Sequence, residues 1–181
     1  CEELAQKIDG YIANWREERD SEHKSTIAFY GYQRESYIIK TAFNRFGSGE
    51  GKCVIQETVR GYDIYIICDC FNHGVTYKMY GKEVPYSPDD HFANLKRAIA
   101  AVEGKARRVN VIMPMLYEGR QHKRSSRESL DCALALQELC LNMNVENIIT
   151  FDAHDPRVQN AIPLKGFEDV APTYQMIKAL T

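Results

Sequence analysis

A basic segment, Tyr117–Arg127, carries the residue types of a phosphate-binding site. Its last eight residues contain four lysines and arginines and one histidine, and they lie between a predicted strand and a predicted helix. Guanidinium groups and the backbone N–H groups of a helix N-terminus are the donors that bind polyphosphates. The pattern favours a phosphate site, and a solvated basic loop is the alternative that stays open.

A second polar segment begins at Asp152, directly after the strand predicted over Glu146–Phe151. Asp152 and His154 are two residues apart, so in an extended segment their side chains share a face. A carboxylate and an imidazole there could hold a divalent cation that neutralises phosphate charge, and an Asp/His turn is the alternative. If both polar segments meet at one rim of the sheet, together they indicate Mg-nucleotide chemistry.

The elements that must position these segments alternate between strand and helix from Tyr62 onward. The predicted strands are Tyr62–Asp69, Arg108–Leu116 and Glu146–Phe151, and the helices between them begin near Ser87 and Ser125. This order predicts an α/β fold with a doubly wound, mainly parallel sheet and helices on both faces. Ligands of such sheets bind beyond the carboxyl ends of the strands, where the two polar segments lie.

Capping residues predict where the two helices between these strands begin. Ser87 is followed by a proline and two aspartates, and the helix after it should bury Phe92, Leu95, Ile99 and Val102 and end at Gly104. Ser125 with Glu128 forms a second apparent capping box. The apolar positions predicted for that helix are Leu130, Leu134, Leu141 and Met143. The run over Tyr62–Asp69 is almost continuously apolar, which predicts a strand buried on both faces.

The N-terminal part has a helical pattern followed by a hairpin pattern. Apolar residues recur at helical spacing over Glu2–Arg19. Predicted strands at Ser36–Phe43 and Lys52–Thr58 flank a glycine-rich turn, Arg45–Gly51. A short helix is expected to begin at Pro172.

Composition and charge exclude several classes of protein. With 181 residues, 44% of them hydrophobic and 27% charged, the chain suits one globular domain, or one and a fragment. The net charge of −2 and the short apolar runs give no sign of a nucleic-acid or membrane partner, and we expect neither. The chain begins with Cys1 instead of Met, so we expect a piece of a longer protein.

Six cysteines lie at positions 1, 53, 68, 70, 132 and 140. A chain of this size needs no disulfide framework, so we interpret them as reduced thiols of a cytoplasmic protein. Cys68, Cys70 and His73 could be considered as a metal site, but their spacing is not that of a zinc knuckle. Structural cysteines are the favoured interpretation.

Several motifs, in order along most of the chain, resemble those of the ribose-phosphate pyrophosphokinase family. They are Arg45–Glu50 (RFGSGE), Gly61–Ile67 (GYDIYII), Gly119–Gln121 (GRQ) and Ile149–His154 (ITFDAH). The resemblance implies a phosphoribosyltransferase-like fold. It also implies a reaction in which ATP gives its β,γ-diphosphoryl group to the C1 hydroxyl of ribose 5-phosphate, with Mg²⁺ as cofactor.

The resemblance also implies roles for the polar segments. By position, Arg120 and Gln121 would contact ATP, and Asp152 and His154 would lie at the Mg-ATP site. His154 would be a catalytic residue that bonds a phosphate-side oxygen or the metal ion. Such a reaction depends mainly on positioning and charge neutralisation, which these residue types supply.

Three residues of the glycine-rich turn would act across a subunit boundary. The resemblance implies that Phe46, Ser48 and Glu50 reach the adenine of a neighbouring subunit, and therefore that the protein is a homo-oligomer. From the residues alone, a Phe such as Phe46 beside a glycine turn is more often a core plug than a base platform, and Glu50 is more often a solvated turn residue.

The resemblance divides the chain into residues 1–169, an N-terminal domain with part of the ATP site, and 170–181, the start of a truncated C-terminal domain. The sugar-phosphate loop of the family does not occur in this sequence, so we expect no turnover by this chain alone. The sequence after Gln121 departs from the family pattern. The alternative is therefore a non-catalytic regulatory homologue that binds synthetase subunits.

Overall fold

A computed structural model describes residues 1–22 and 34–181, which form two units, Cys1–Lys40 and Thr41–Thr181. The first unit contains helix α1, Glu2–Ser21, which confirms the predicted N-terminal helix. Glu2 and Glu3 lie in its first turn and Arg19 in its last, so their charges complement the helix dipole. None of the described helices is long and apolar enough to cross a lipid bilayer.

The second unit contains eight strands and three helices among the described residues. The strands are β1 (Thr41–Arg45), β2 (Gly51–Ile55), β3 (Asp63–Ile67), β4 (Thr76–Met79), β5 (Lys82–Pro85), β6 (Arg108–Met113), β7 (Asn147–Phe151) and β8 (Gly166–Val170). The helices are α2 (Pro88–Ala101), α3 (Asp131–Gln137, continued by a π-helical turn over Glu138–Asn142) and α4 (Thr173–Leu180). A 3₁₀ helix, Pro156–Ala161, connects β7 to β8.

Four strands form one parallel sheet in the order β3-β6-β7-β8. Val111 pairs with Ile66 on one side and Ile148 on the other, so these side chains share a face. This face and the apolar sides of α2 and α3 enclose the core, where Leu95 and Leu139 are buried. The remaining strands form two antiparallel hairpins, β1-β2 and β4-β5.

The predicted α/β class with a mainly parallel sheet is confirmed, and the strand order adds a refinement. Among the described strands the order follows the sequence without a reversal, so the switch point of a doubly wound sheet is not seen in Thr41–Thr181. Tyr65, on the face opposite the core, is 58% exposed. The prediction that its strand is buried on both faces is therefore wrong: Ile64 packs on the core side of β3, whereas Asp63 and Tyr65 on the other face are exposed.

Helix α2 forms as predicted. The Ser87 hydroxyl accepts a hydrogen bond from the Asp90 backbone N–H at 3.1 Å, and the Asp90 carboxylate accepts one from the Ser87 N–H at 3.0 Å. After the helix, Gly104 has a φ of +64°, a conformation that only glycine adopts at little cost. The residues predicted to be buried, Phe92, Leu95, Ile99 and Val102, are all in the core.

The helix predicted to begin at Ser125 begins instead at Asp131. The Ser125 N–H and hydroxyl both donate to the Glu128 carboxylate, but no helix continues from them. Consequently the buried face of α3 differs from the predicted one. Leu134 and Leu141 are 58% and 55% exposed, whereas the buried residues are Cys132, Ala135, Leu136, Leu139 and Cys140.

Three strands lie outside the predicted set, and one predicted strand is displaced. Strands β4 and β5 lie in a segment with no clear strand pattern, and β8 is half polar. The strand expected over Ser36–Phe43 starts only at Thr41, where pairing with β2 begins. The short helix expected to begin at Pro172 is present as α4, which begins at Thr173 and has Pro172 at its N-cap.

Candidate functional site

The loop after β6 is anchored by its aromatic residue. The ring of Tyr117 stacks on Phe92, with 4.3 Å between the ring centroids and 4° between the planes. The Tyr117 hydroxyl donates a hydrogen bond of 2.6 Å to the Asp89 carboxylate. Burial, followed by this contact with Asp89, raises the pKa of Tyr117, so the phenol stays protonated and keeps donating. The loop is thereby fixed to the start of α2.

A tight turn then directs the chain toward solvent. The Gly119 N–H donates to the Leu116 carbonyl at 3.0 Å, and a Cβ at position 119 would lie 3.1 Å from that oxygen. The preceding Glu118 has a φ of +54°. A side chain at position 119 would crowd this turn, which presents the exposed residue Arg120.

The loop after β7 contains a second residue in the left-handed region. Asp152 has a φ of +51°, which aspartate tolerates better than most residues. Its N–H donates to the Val170 carbonyl at 3.3 Å, and the Ala153 N–H donates to the Asp169 carboxylate at 2.9 Å. Both bonds tie this loop to the end of β8 and leave the side chains of Asp152 and His154 exposed.

The two loops meet at one open pocket of about 650 Å³ at the carboxyl ends of β6 and β7. Its polar residues are Glu118, Arg120, Gln121, Asp152 and His154. Its apolar residues are Phe71, Met115, Leu116 and Phe151. The prediction that the turns after Leu116 and Phe151 share one rim is confirmed, and four residues proposed from the sequence line the same pocket. Their roles toward a ligand stay predictions.

His122 links the two loops, a role that no motif in the sequence indicates. Its Nδ1 lies 3.2 Å from the Arg120 carbonyl oxygen, and its Nε2 lies 3.2 Å from a carboxylate oxygen of Asp155. The ring edge faces His154, with 5.1 Å between centroids. The His122 side chain is 9% exposed, so the link is sheltered from water. Because His122 and Asp155 are far apart in the chain, their contact leaves no local pattern that could have found it.

Asp155 is also held by a cation. Arg157 donates to both carboxylate oxygens, at 2.9 Å from Nε and 2.6 Å from Nη2. These side-chain bonds and the Arg157 backbone N–H hold the pKa of Asp155 far below its usual range. Asp155 is therefore ionised at neutral pH, and its carboxylate places a negative charge beside the His122 ring.

The pocket also contains an acidic residue with a perturbed pKa. Burial, followed by the charges of Asp131 and Asp89, raises the pKa of Glu118. Glu118 and the basic residue Arg120 both line the pocket, so it presents both charge types to a ligand. The other cations of the basic segment, Lys123, Arg124 and Arg127, are exposed and do not line the pocket.

The side chains at the pocket determine whether a divalent cation can bind there. Within residues 1–22 and 34–181 no group of three or more His, Cys, Asp or Glu side chains could enclose a metal ion. Mg²⁺ commonly binds through one or two carboxylates, with water and substrate phosphates completing its shell. Asp152 supplies one exposed carboxylate at the pocket, which fits this mode. The imidazole of His154 is a less typical Mg²⁺ ligand and is better suited to a phosphate oxygen.

The turn between β1 and β2 does not line the pocket. Phe46 is 51% exposed, which does not fit the role of a core plug, and the Ser48 hydroxyl donates to the Glu50 carboxylate at 2.8 Å. Arg45 holds this turn in place: its guanidinium donates to the Gly49 carbonyl at 2.7 Å and to Asp90 at 2.9 Å. Phe46, Ser48 and Glu50 are thus presented at the tip of a hairpin that is braced against α2.

Comparisons of this chain with known proteins all point to one family. Residues 1–141 match the family described as the N-terminal domain of ribose phosphate pyrophosphokinase. The ribose-phosphate pyrophosphokinase of Bacillus caldolyticus is 26% identical over 132 residues, which is 72% of this chain and 36% of that protein. The enzyme of the same name from Corynebacterium ammoniagenes is 26% identical over 133 residues, or 72% of this chain and 35% of that protein.

A solved structure gives the same fold. The crystal structure of phosphoribosylpyrophosphate synthetase from Mycobacterium smegmatis matches with a TM-score of 0.66 at 17% sequence identity. The match covers 81% of this chain and 44% of that one. The chain spans about a third of the length of the curated relatives it matches.

Proposed function

The chain belongs to the ribose-phosphate pyrophosphokinase family through that family's N-terminal domain, and from this we propose that its pocket binds ATP for diphosphoryl transfer. In the proposed reaction the protein transfers the diphosphoryl group of ATP to ribose 5-phosphate and forms phosphoribosyl diphosphate. The observation that carries this proposal is the convergence of Arg120, Gln121, Asp152 and His154 on one pocket. The pocket volume, about 650 Å³, is in the range of small-molecule sites.

In this proposal Arg120 and Gln121 bind the phosphates. The guanidinium of Arg120 can form two parallel hydrogen bonds with phosphate oxygens, and such charge-assisted bonds are about twice as strong as neutral ones. The Gln121 N–H and carbonyl bond Glu118 and Cys132, which fixes this residue's backbone and leaves its side chain for the ligand. Phe71, Met115 and Phe151 give the pocket an apolar wall that a ligand could cover.

Asp152 and His154 are proposed to serve the reacting phosphates. Asp152 would hold Mg²⁺, which when bound neutralises phosphate charge. His154 would donate a hydrogen bond to a phosphate oxygen, and its ring lies 5.1 Å from that of His122. A reaction of this kind demands little covalent chemistry from the protein, so orientation and charge would be the main contributions of these residues.

The exposed hairpin tip is proposed to complete the site of a second copy. Phe46 offers an exposed ring that could stack on a base, and Glu50 can accept a hydrogen bond from an exocyclic amine. The protein is therefore proposed to act as a homo-oligomer with ATP and ribose 5-phosphate as substrates. The two bacterial relatives are named as pyrophosphokinases, so a regulatory role without catalysis is not favoured.

Calorimetric titration of the purified chain with ATP, with and without Mg²⁺, tests the proposal. Arg120→Ala should raise the Kd for ATP by at least about tenfold, because a hydrogen bond to a charged group contributes about 1.5–3 kcal/mol. Arg124→Ala is the matched control, since Arg124 belongs to the same basic segment but lies outside the pocket. It should leave the Kd within about twofold.

Two results would count against the proposal. Equal losses in the Arg120 and Arg124 variants would mean that the basic segment attracts anions without a defined site. Tight, salt-dependent binding of an oligonucleotide that Mg-ATP does not displace would favour a nucleic-acid module instead.

A further inference from the structure

Two cysteine side chains lie in contact beside the pocket. The Sγ atoms of Cys68 and Cys70 are 3.7 Å apart, just after the end of β3. Cys70 is fully buried in the core, and Cys68 is half-buried, with its Sγ 3.9 Å from the His91 carbonyl oxygen. All six cysteines of the chain lie in the described residues and are free thiols there.

We propose that Cys68 and Cys70 form a redox-active dithiol that low-molecular-weight disulfides, such as oxidised glutathione, convert to an intramolecular disulfide. The two sulfur atoms need to approach from 3.7 Å to a bonding distance of about 2.05 Å. Rotation of the two cysteine side chains can supply part of this displacement. The remainder would come from the backbone of Asp69 and Cys70, which lie outside strands and helices, while the Cys68 N–H stays bonded to the Ile112 carbonyl of β6 at 2.9 Å.

The two thiols differ in a way that assigns their order of reaction. The hydrogen bond from the Cys70 thiol lowers the pKa of Cys68, although burial and the Asp69 carboxylate act against it. The same hydrogen bond, with burial, raises the pKa of Cys70. Cys68 is therefore the attacking thiolate, because thiolates and not thiols are the nucleophiles in exchange.

The exchange then proceeds in two balanced steps. The Cys68 thiolate attacks one sulfur of the glutathione disulfide, forms a mixed disulfide and releases one glutathione thiolate. Cys70 loses its proton and attacks the Cys68 sulfur, which releases the second glutathione thiolate. Overall, the two protein thiols are oxidised to a disulfide, and one glutathione disulfide is reduced to two thiols.

The position of the dithiol connects it to the pocket. Phe71, the next residue, lines the pocket, and its N–H donates to the Asp69 carboxylate at 3.0 Å. Closing the disulfide around Asp69 would change the loop that sets this wall. We therefore expect oxidation to weaken ATP binding by at least about fivefold, a consequence that rests on the proposed function.

Mass spectrometry of a tryptic digest tests the dithiol directly. The peptide Gly61–Lys78 contains Cys68 and Cys70 and no other cysteine. After treatment of the folded chain with oxidised glutathione and alkylation of the remaining thiols, this peptide should be unalkylated and lighter by two hydrogen atoms. Cys53 is the matched control, because it is also half-buried and lies in a different peptide, and it should be recovered alkylated or as a simple glutathione adduct.

Single variants test the order of attack. Cys70→Ala should trap glutathione on Cys68 as a stable mixed disulfide, whereas Cys68→Ala should leave Cys70 unmodified in the folded chain. Alanine is preferred to serine at position 70 because it leaves no hydroxyl in the core. Full alkylation of both cysteines after oxidation, or glutathione on Cys70 in the Cys68 variant, would overturn the proposal.

The effect of the disulfide on the pocket is tested separately, by comparing ATP binding to the reduced and the oxidised chain. If the reduced chain binds ATP and the oxidised chain binds it equally well, the coupling through Phe71 is wrong. If the reduced chain does not bind ATP at all, the proposed function fails, and the digest still decides whether the dithiol exists.

Discussion

The residue that joins the two loops of the pocket is one that the sequence patterns do not single out. His122 faces two acceptors, the Arg120 carbonyl and the ionised carboxylate of Asp155. Each ring nitrogen of His122 therefore lies 3.2 Å from an oxygen atom of a different loop. His122 thereby connects the phosphate-binding loop to the loop that carries His154.

Removing this link should weaken ligand binding without unfolding the chain. His122→Ala should raise the Kd for ATP roughly fivefold, because the lost contacts with Arg120 and Asp155 contribute about 1 kcal/mol of positioning between the loops. Titration calorimetry measures this, and circular dichroism checks that the fold is kept. His73→Ala is the control: His73 is exposed and does not line the pocket, so its Kd should be unchanged.

The difference between what the sequence predicts and what it misses at this scale has a simple cause. Asp152 and His154 are predicted at the site because both follow one strand and share a local pattern. The pairing of His122 with Asp155 joins two loops, and neither residue is unusual in its own segment. A contact of this kind depends on how the two loops lie in the folded chain, which local patterns in the sequence do not reveal.

At the scale of elements, two similar serine motifs behave differently. Ser87 caps α2, and both halves of its capping box are formed. Ser125 and Glu128 form only the half in which Ser125 donates to the carboxylate, and no helix begins there. The residues beyond each motif also differ: α2 continues into residues that pack in the core, whereas Ser129, which follows Glu128, is exposed.

This contrast gives a matched stability test. Ser87→Ala should lower the free energy of unfolding by about 1 kcal/mol, since it removes a helix cap. Ser125→Ala should change it by less than about 0.5 kcal/mol, because it affects only an exposed turn. Urea unfolding followed by circular dichroism distinguishes the two. Equal losses would indicate that a helix does start at Ser125.

The brace between the β1-β2 hairpin and α2 should depend on pH. Burial acts to raise the pKa of Asp90, but hydrogen bonds from Ser87 and the Arg45 guanidinium outweigh it, and the pKa is lowered. A carboxylate whose pKa is lower in the folded state stabilises the fold above its unfolded pKa of about 3.9, and this contribution is lost as the pH falls through the folded value.

Asp90→Asn should therefore destabilise the chain most near neutral pH. The difference in the free energy of unfolding between the parent and this variant should be about 1–2 kcal/mol near pH 7 and should shrink toward about pH 3. Urea titrations at several pH values measure it. A difference that stays constant over this range would contradict a role for the ionised carboxylate.

At the scale of the whole molecule, hydrophobic periodicity predicts the α/β class and the central strands β6 and β7 correctly. It misses β8, whose sequence GFEDV contains two acidic residues because the strand lies at the sheet edge and is largely exposed. It also places the buried stripe of α3 on Leu134 and Leu141, which are exposed. The helix start, which sets that stripe, depends on packing and not on the local capping motif.

Truncation of leucines in α3 and its π-helical turn tests which face belongs to the core. Leu139 is fully buried among residues of the sheet and helices, so Leu139→Ala should lower the free energy of unfolding by about 2–5 kcal/mol. Leu141, two residues later, is 55% exposed, and Leu141→Ala should cost less than about 1 kcal/mol. Chemical unfolding of both variants measures this difference. A larger loss for Leu141 would restore the face predicted from sequence and would require a different packing of the helix on the strands that carry the pocket.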